Sequence, residues 1–202
     1  EAVLSAIKRG VFVVVSAGNE YASQPTEPWR DIAGTRGLII AGATNYKDER
    51  AIWYYEGKVT GASNNGGDVV APGDNIVTTS IMGKGDISPN YTANFGGTSA
   101  AAPFVSGLAA LIISKYRSRG INIIPELVED IIKQSADDIG APGWDAETGY
   151  GRINVCHALA DLPGIRVSHR KMFIDKINDG DSIEIYDDRN ILRGNYTITT
   201  MN

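Results

Sequence analysis

Apolar residues fall along this chain in two alternating rhythms. Val11-Phe-Val-Val-Val15 and Leu38-Ile-Ile-Ala-Gly-Ala43 are unbroken apolar runs, the pattern of parallel strands covered on both faces, and predict strands at 11–16 and 38–43. Shorter strands are expected at 68–70 and 75–79. Elsewhere the spacing lengthens to a helical period. Residues 1–9 put Val3, Leu4 and Ile7 on one face and stop at Gly10. Residues 99–118 predict a long central helix with Pro103 in its first turn, where a missing N–H costs little. Residues 125–136 predict another, with Pro125 near its start and Leu127, Val128, Ile131 and Ile132 inward, and 153–161 a last short one. The alternation predicts an α/β fold with a doubly wound, mostly parallel sheet over residues 1–162. From Pro163 the texture changes. Met172–Ile177, Ser182–Tyr186 and Asn195–Thr199, around the turn Asn178-Asp-Gly-Asp181, alternate apolar and polar residues and predict a small antiparallel β meander in 163–202.

Composition narrows the reading. With 202 residues and 43% hydrophobic content, the chain can bury a sizeable core. Its net charge of −5 is dispersed, and no basic tract exists to attract nucleic acid or an anionic membrane, so neither is expected as a partner. The longest apolar run, Leu108–Ile113, is too short to cross a bilayer. The single cysteine, Cys156, excludes an internal disulfide and reads as a small buried hydrophobe. Asn90-Tyr91-Thr92 and Asn195-Tyr196-Thr197 match the glycosylation sequon, a pattern too short to carry weight.

Candidate chemistry starts at Gly96-Gly97-Thr98-Ser99-Ala100-Ala101-Ala102-Pro103. This stretch puts a hydroxyl on a glycine turn directly before the long helix. At a helix start the backbone N–H of Ser99 has no partner within the helix and lies at the positive end of the macrodipole, where a developing oxyanion is stabilised. Ser99 is thus a candidate nucleophile; an ordinary helix-capping serine is the alternative. Val11-Phe-Val-Val-Val-Ser-Ala-Gly-Asn19-Glu20 ends a buried strand in a glycine and a side-chain amide. Asn19 is either a neutral donor to that oxyanion or the start of an Asx turn.

Together these two segments resemble the subtilisin-like serine peptidases, whose nucleophile lies in Gly-Thr-Ser-x-Ala-x-Pro and whose oxyanion-hole amide lies in Ala-Gly-Asn. Leu38–Ala43, Asp68-Val-Val-Ala-Pro72-Gly73, Gly143-Trp-Asp and Gly149-Tyr150-Gly151-Arg152-Ile153-Asn154 agree in order and character, over about residues 1–160. Gly18-Asn19 departs from the related sedolisins, which place a carboxyl group at the oxyanion hole. The resemblance implies a serine endopeptidase acting on polypeptides, with Ser99 and Asn19 catalytic. It implies that Ser16, Ala17 and Gly18 form one wall of the pocket for the residue before the scissile bond, with Glu20 at its rim. A solvated loop role for Glu20 is an equal alternative. Secretion or a place in the cell envelope is implied too.

The family's triad runs Asp, His, Ser along the chain. Neither the Asp-Ser/Thr-Gly nor the His-Gly surrounding occurs here. Both histidines, His157 and His169, follow Ser99. The Asp and His are therefore expected upstream of Glu1, in an N-terminal part that partners this one, and the chain alone is expected to be inactive. A catalytically dead, protease-like binding domain is the alternative, and a two-chain enzyme assembled after cleavage is a third reading. No cofactor is needed for the chemistry. Structural calcium occurs in relatives, and Asp68, Asp74, Asp137, Asp138 and Asp145 are the candidates, although no spacing here matches a calcium loop. Trp53-Tyr54-Tyr55 and Ile81–Asn94 are expected as loops holding extra length between Asn19 and Ser99.

Overall fold

A computed structural model describes residues 1–160, 182–186 and 192–197. The chain divides into two compact units, Glu1–Ala158 and Leu159–Asn202.

In the first unit, α1 (Ala2–Lys8) leads through Gly10, at φ +82°, into β1 (Val13–Ser16). A 3-10 turn at Trp29–Ile32 precedes β2 (Leu38–Thr44). Then come β3 (Ile52–Tyr55), β4 (Lys58–Ala62), β5 (Val69–Pro72), β6 (Ile76–Thr79) and β7 (Tyr91–Phe95). Three helices follow: α2 (Thr98–Ser118), α3 (Pro125–Ser135) and α4 (Val155–Leu159).

The centre is a parallel sheet in the order β1-β2-β5, with Val13 opposite Leu38 and Ala41 opposite Val69. All seven residues of β2 are buried, which is why its sequence never alternates. On one face Val15, Ala17, Leu38 and Ile40 pack with Ile7 of α1, and with Val13, Trp29 and Ile32 at the margin. On the other lies α2, which packs on all three strands. Its Val105, Leu108 and Ile112 are fully buried, each contributing about 1.5–3 kcal/mol of transfer free energy. By length and composition α2 could cross a membrane, but here it covers the sheet.

Charge ties α3 to β2. Glu129, 1% exposed, accepts the Gly37 N–H at 2.7 Å and pairs with Lys133 at 2.7 Å. Lys133 also lies 2.8 Å from Asp68, whose other oxygen accepts the Ile40 N–H at 2.8 Å. Burial alone would pull the lysine pKa down; Asp68 and then Glu129 outweigh it and hold the value above normal. Arg36 grips Asp130 with two bonds, 2.6 and 2.8 Å.

The two sheet edges differ. Outside β5, Val70 donates to the Gly151 carbonyl at 2.9 Å and accepts the Ile153 N–H at 3.0 Å, a short parallel bridge centred on Arg152. Outside β1 no strand pairs, among the described residues. Val13 and Ala17 donate inward to Gly37 and Ala41, so the alternation turns the backbone of Val14 and Ser16 outward.

Both segments expected as loops build hairpins. β3 and β4 are antiparallel and joined by Glu56-Gly57, at φ +48° and +75°, the left-handed pair a tight two-residue hairpin requires. β6 and β7 pair likewise around a longer connection tied by Asp86, which accepts the Ala93 N–H at 2.9 Å and a bond from the Asn94 amide. Register shifts at Trp53/Tyr54 and Ile76/Thr78 break the two-residue period, so neither pair announces itself in the pattern. Cys156 is exposed, not buried as expected.

In the second unit, β8 (Ser182–Tyr186) and β9 (Leu192–Thr197) pair antiparallel, with Glu184 opposite Asn195. The expected strand at 172–177 and His169 lie outside the described residues.

Candidate active site

Gly97 stands at the helix start with φ +110°, and a β-carbon there would come within 3.3 Å of the Asn19 amide nitrogen. It is the positive φ that favours glycine here. Thr98, fully buried, is the first residue of α2 and Ser99, exposed, the second. The Ser99 N–H thus has no i−4 carbonyl in the helix.

Asn19 is held against this turn by Thr98. Its Oδ1 accepts both the Thr98 N–H and the Thr98 hydroxyl, each at 2.9 Å, and that hydroxyl in turn accepts the Gly18 N–H at 3.1 Å. A backbone N–H can only donate, so the atom facing it must be the amide oxygen. The Nδ2 donor is left with no acceptor among the described residues. Sequence order separates Asn19 and Ser99 widely; Thr98 brings them to one place.

The loop after β1 has its own anchor. Asn64, 1% exposed, accepts the N–H groups of Glu20 and Ala22 at 3.0 and 2.9 Å. Its amide donates to the Ala17 carbonyl at 3.2 Å, the Glu20 carboxylate at 2.7 Å and the Thr26 hydroxyl at 3.0 Å. Glu20 also accepts from the Thr26 hydroxyl at 2.6 Å and the Asn19 N–H at 3.0 Å. Those bonds, Thr26 first and Asn64 next, hold the Glu20 carboxyl below its usual pKa. Gly18, at φ +103°, sits where any β-carbon would strike Thr26, Asn64 and Glu20 together. Asn64 was not singled out by the sequence, because its partners are 38 to 47 positions away.

A cleft of about 610 Å³ opens beside the turn, lined by Val14, Val15, Ser16 and Trp29 on one side and Ser99, Ala102, Pro103 and Ser106 on the other. Ser16 and Ser99 therefore share a cavity along the outer edge of β1. Ala17, which is buried, Gly18 and Asn19 lie beyond its lining. Glu20 lines a different cavity of about 310 Å³ with Thr26, Asn64 and Arg30. Among the described residues, no acidic or imidazole group lines the Ser99 cleft. His157 is exposed, and its Nδ1 lies 3.3 Å from Asp137, whose carboxyl is held low by Asn154 and then Arg152.

Each of the five aspartates is bound within the protein. Asp68 is bound to Lys133 and Ile40, Asp137 to Arg152 and Asn154, and Asp138 to the Gly143 N–H at 2.7 Å. Asp145 accepts from Glu147 and Thr148, and Asp74 from Asn75. Among the described residues, no three acidic, histidine or cysteine side chains converge on one point.

An α/β sheet ending in a loop amide, set against a hydroxyl at a helix N-terminus, offers a hydroxyl and two N–H donors of the kind acyl transfer uses, without a base among the described residues lining its cleft. The sequence profile of the subtilase family matches residues 1–151, and the chain belongs to that family. A thermophilic serine proteinase of Bacillus sp. strain AK1 is 38% identical over 158 residues, covering 78% of this chain and 33% of that protein. The extracellular basic protease of Dichelobacter nodosus is 30% identical over 196 residues, covering 95% and 30%. The crystal structure of fervidolysin from Fervidobacterium pennivorans, described as a keratinolytic enzyme related to subtilisin, superposes with a TM-score of 0.58 at 32% identity, over 78% of this chain and 24% of that one. The chain spans about a third or less of the length of these relatives.

Proposed function

We propose that residues 1–162 are the C-terminal part of a subtilisin-like catalytic domain and 163–202 a β-rich extension, within a serine endopeptidase. The Ser99 hydroxyl attacks a peptide carbonyl while a histidine, oriented by an aspartate, takes its proton. Both of those residues come from the segment upstream of Glu1. As the C–O bond forms, the carbonyl oxygen gains negative charge and is met by the Ser99 N–H and the Asn19 Nδ2. The histidine then returns the proton to the leaving amine, the C–N bond breaks, and water releases the acyl group by the same route. Ser16, Ala17 and Gly18 form one wall for the side chain before the scissile bond, with Glu20 near its rim, where a carboxylate favours a basic or polar group. The substrate is a polypeptide, and protein groups alone supply these steps. The extracellular relative supports a secreted or cell-envelope location.

The observation that carries this reading is the pair of bonds from Thr98 that fix the Asn19 amide beside Ser99. Its test uses a fluorophosphonate and a peptide substrate. This chain alone is expected to remain unlabelled and inactive, since a serine hydroxyl without a base is a weak nucleophile. The protein extended through its upstream segment is expected to be labelled and to hydrolyse the peptide, with Ser99→Ala abolishing both. There Asn19→Ala is expected to lower kcat by about 10²–10³ at unchanged KM, a magnitude taken from loss of such a donor in subtilisin itself. Labelling of Ser99 in the short chain would overturn the assignment of the base, and an inert extended protein the whole reading.

A further inference from the structure

The hairpin β3–β4 touches both halves of the candidate oxyanion site. At one end, the Ala62 N–H donates to the Asn19 carbonyl at 3.2 Å and the Ala62 carbonyl accepts the Tyr21 N–H at 3.2 Å. Beside it Gly61 leaves so little room that a β-carbon would lie 2.6 Å from the Asn19 carbonyl oxygen. On the facing strand, the half-buried indole of Trp53 donates from Nε1 to the Gly73 carbonyl at 3.3 Å. That same carbonyl accepts the Gly97 N–H at 2.8 Å. The ring lies against Gly96, where a β-carbon would meet Nε1 at 3.0 Å and Cδ1 at 3.4 Å. Trp53 and Gly61 are directly opposite one another in the hairpin. One cross-strand pair therefore spans from the backbone of Asn19 to the glycine turn that carries Ser99.

We infer that the β3–β4 hairpin is a clamp that sets the distance between the Asn19 amide and the Ser99 N–H, with Trp53 its positioning residue. Thr98 already fixes the Asn19 side chain to the turn. Two backbone segments set that distance: the turn itself, with its two successive glycines, and the loop that carries Asn19. Trp53 restrains the first by filling the space over Gly96 and sharing the Gly73 carbonyl with Gly97. Ala62 restrains the second. Trp53 touches neither the hydroxyl nor the oxyanion, so its effect runs through the turn. An oxyanion hole acts on charge present only in the transition state, and a displacement of about 1 Å can cost about 10²-fold in rate while substrate binding survives.

This inference rests on the peptidase reading, and its test separates the two. In the protein extended through its upstream segment, kinetics and inhibition by a peptide aldehyde are measured for the wild type, Trp53→Ala and Trp53→Phe. An inactive wild type would overturn the peptidase reading, and the clamp with it. With an active wild type, Trp53→Ala is expected to lower kcat by about 10-fold to 10²-fold with KM within about twofold. Aldehyde affinity is expected to fall by the same factor as kcat/KM. Trp53→Phe keeps a ring over Gly96 without the bond to Gly73 and is expected to fall between the two. If Trp53→Ala does not fold, Trp53→Phe carries the test by the same parallel loss in kcat/KM and aldehyde affinity. A folded variant with wild-type kcat, or one that raises KM alone, would overturn the clamp.

Discussion

At the scale of single residues, the loop after β1 is held by one acid and one amide. The Glu20 carboxylate gathers the Asn19 N–H, the Thr26 hydroxyl and the Asn64 amide, and all three favour its charged form. Its pKa in the fold is therefore below the ordinary 4.5. A depressed carboxyl contributes stability above the unfolded value and loses it as pH falls through the folded one. Urea midpoints of the wild type are thus expected to decline below pH 4.5 more steeply than those of Glu20→Gln, the two curves converging in acid. Parallel curves would mean that the carboxylate does not hold the loop. Ser99 and Asn19 were legible in the sequence because each sits in a short local grammar, a glycine turn before a helix and a glycine after a buried strand. Asn64 was not. It follows a strand with nothing beside it in the sequence to mark it, and its partners at Ala17, Glu20 and Thr26 arrive only through folding.

At the scale of elements, β2 and α2 were legible for the same reason: two-sided burial leaves an unbroken apolar run, and one-sided burial a helical stripe. The hairpins were not. Trp53-Tyr54-Tyr55 has the aromatic bias of a strand but no alternation, since Tyr54 and Tyr55 are both exposed beside a bulge. Glu56-Gly57 was the remaining signal, a polar residue and a glycine between aromatic and β-branched segments. The helix α3 carries a different lesson, since its inner face is not purely apolar. Glu129 is buried within the fold and satisfied by Gly37 and Lys133. Glu129→Ala strands the Gly37 N–H and half of the charge on Lys133, and is expected to destabilise the chain by about 3–5 kcal/mol in urea unfolding. Glu129→Gln, which keeps an oxygen for the Gly37 N–H, is expected to lose less than Glu129→Ala. An alanine variant costing under about 1 kcal/mol would place the pair among weak surface contacts.

At the scale of the whole molecule, the parallel sheet has, among the described residues, one closed edge and one open. The stretch 151–153 closes β5, while β1 offers Val14 and Ser16 backbone and an apolar cleft to whatever lies alongside. The proposed upstream segment would cover both. In its absence the chain alone is expected to associate, and light scattering should report a mass above that of one chain; a well-behaved monomer with a sharp unfolding transition would overturn the proposed packing. The asymmetry of the edges also limits how far that association can run. A ribbon that can be extended from both sides has no terminus and grows into a fibre. Among the described residues this sheet offers a free strand edge on one side only, and two copies meeting edge to edge about a twofold axis would consume each other's free side. Assembly through β1 is therefore expected to end at a pair, a self-limiting dimer that the upstream segment, present on the same protein, would preclude.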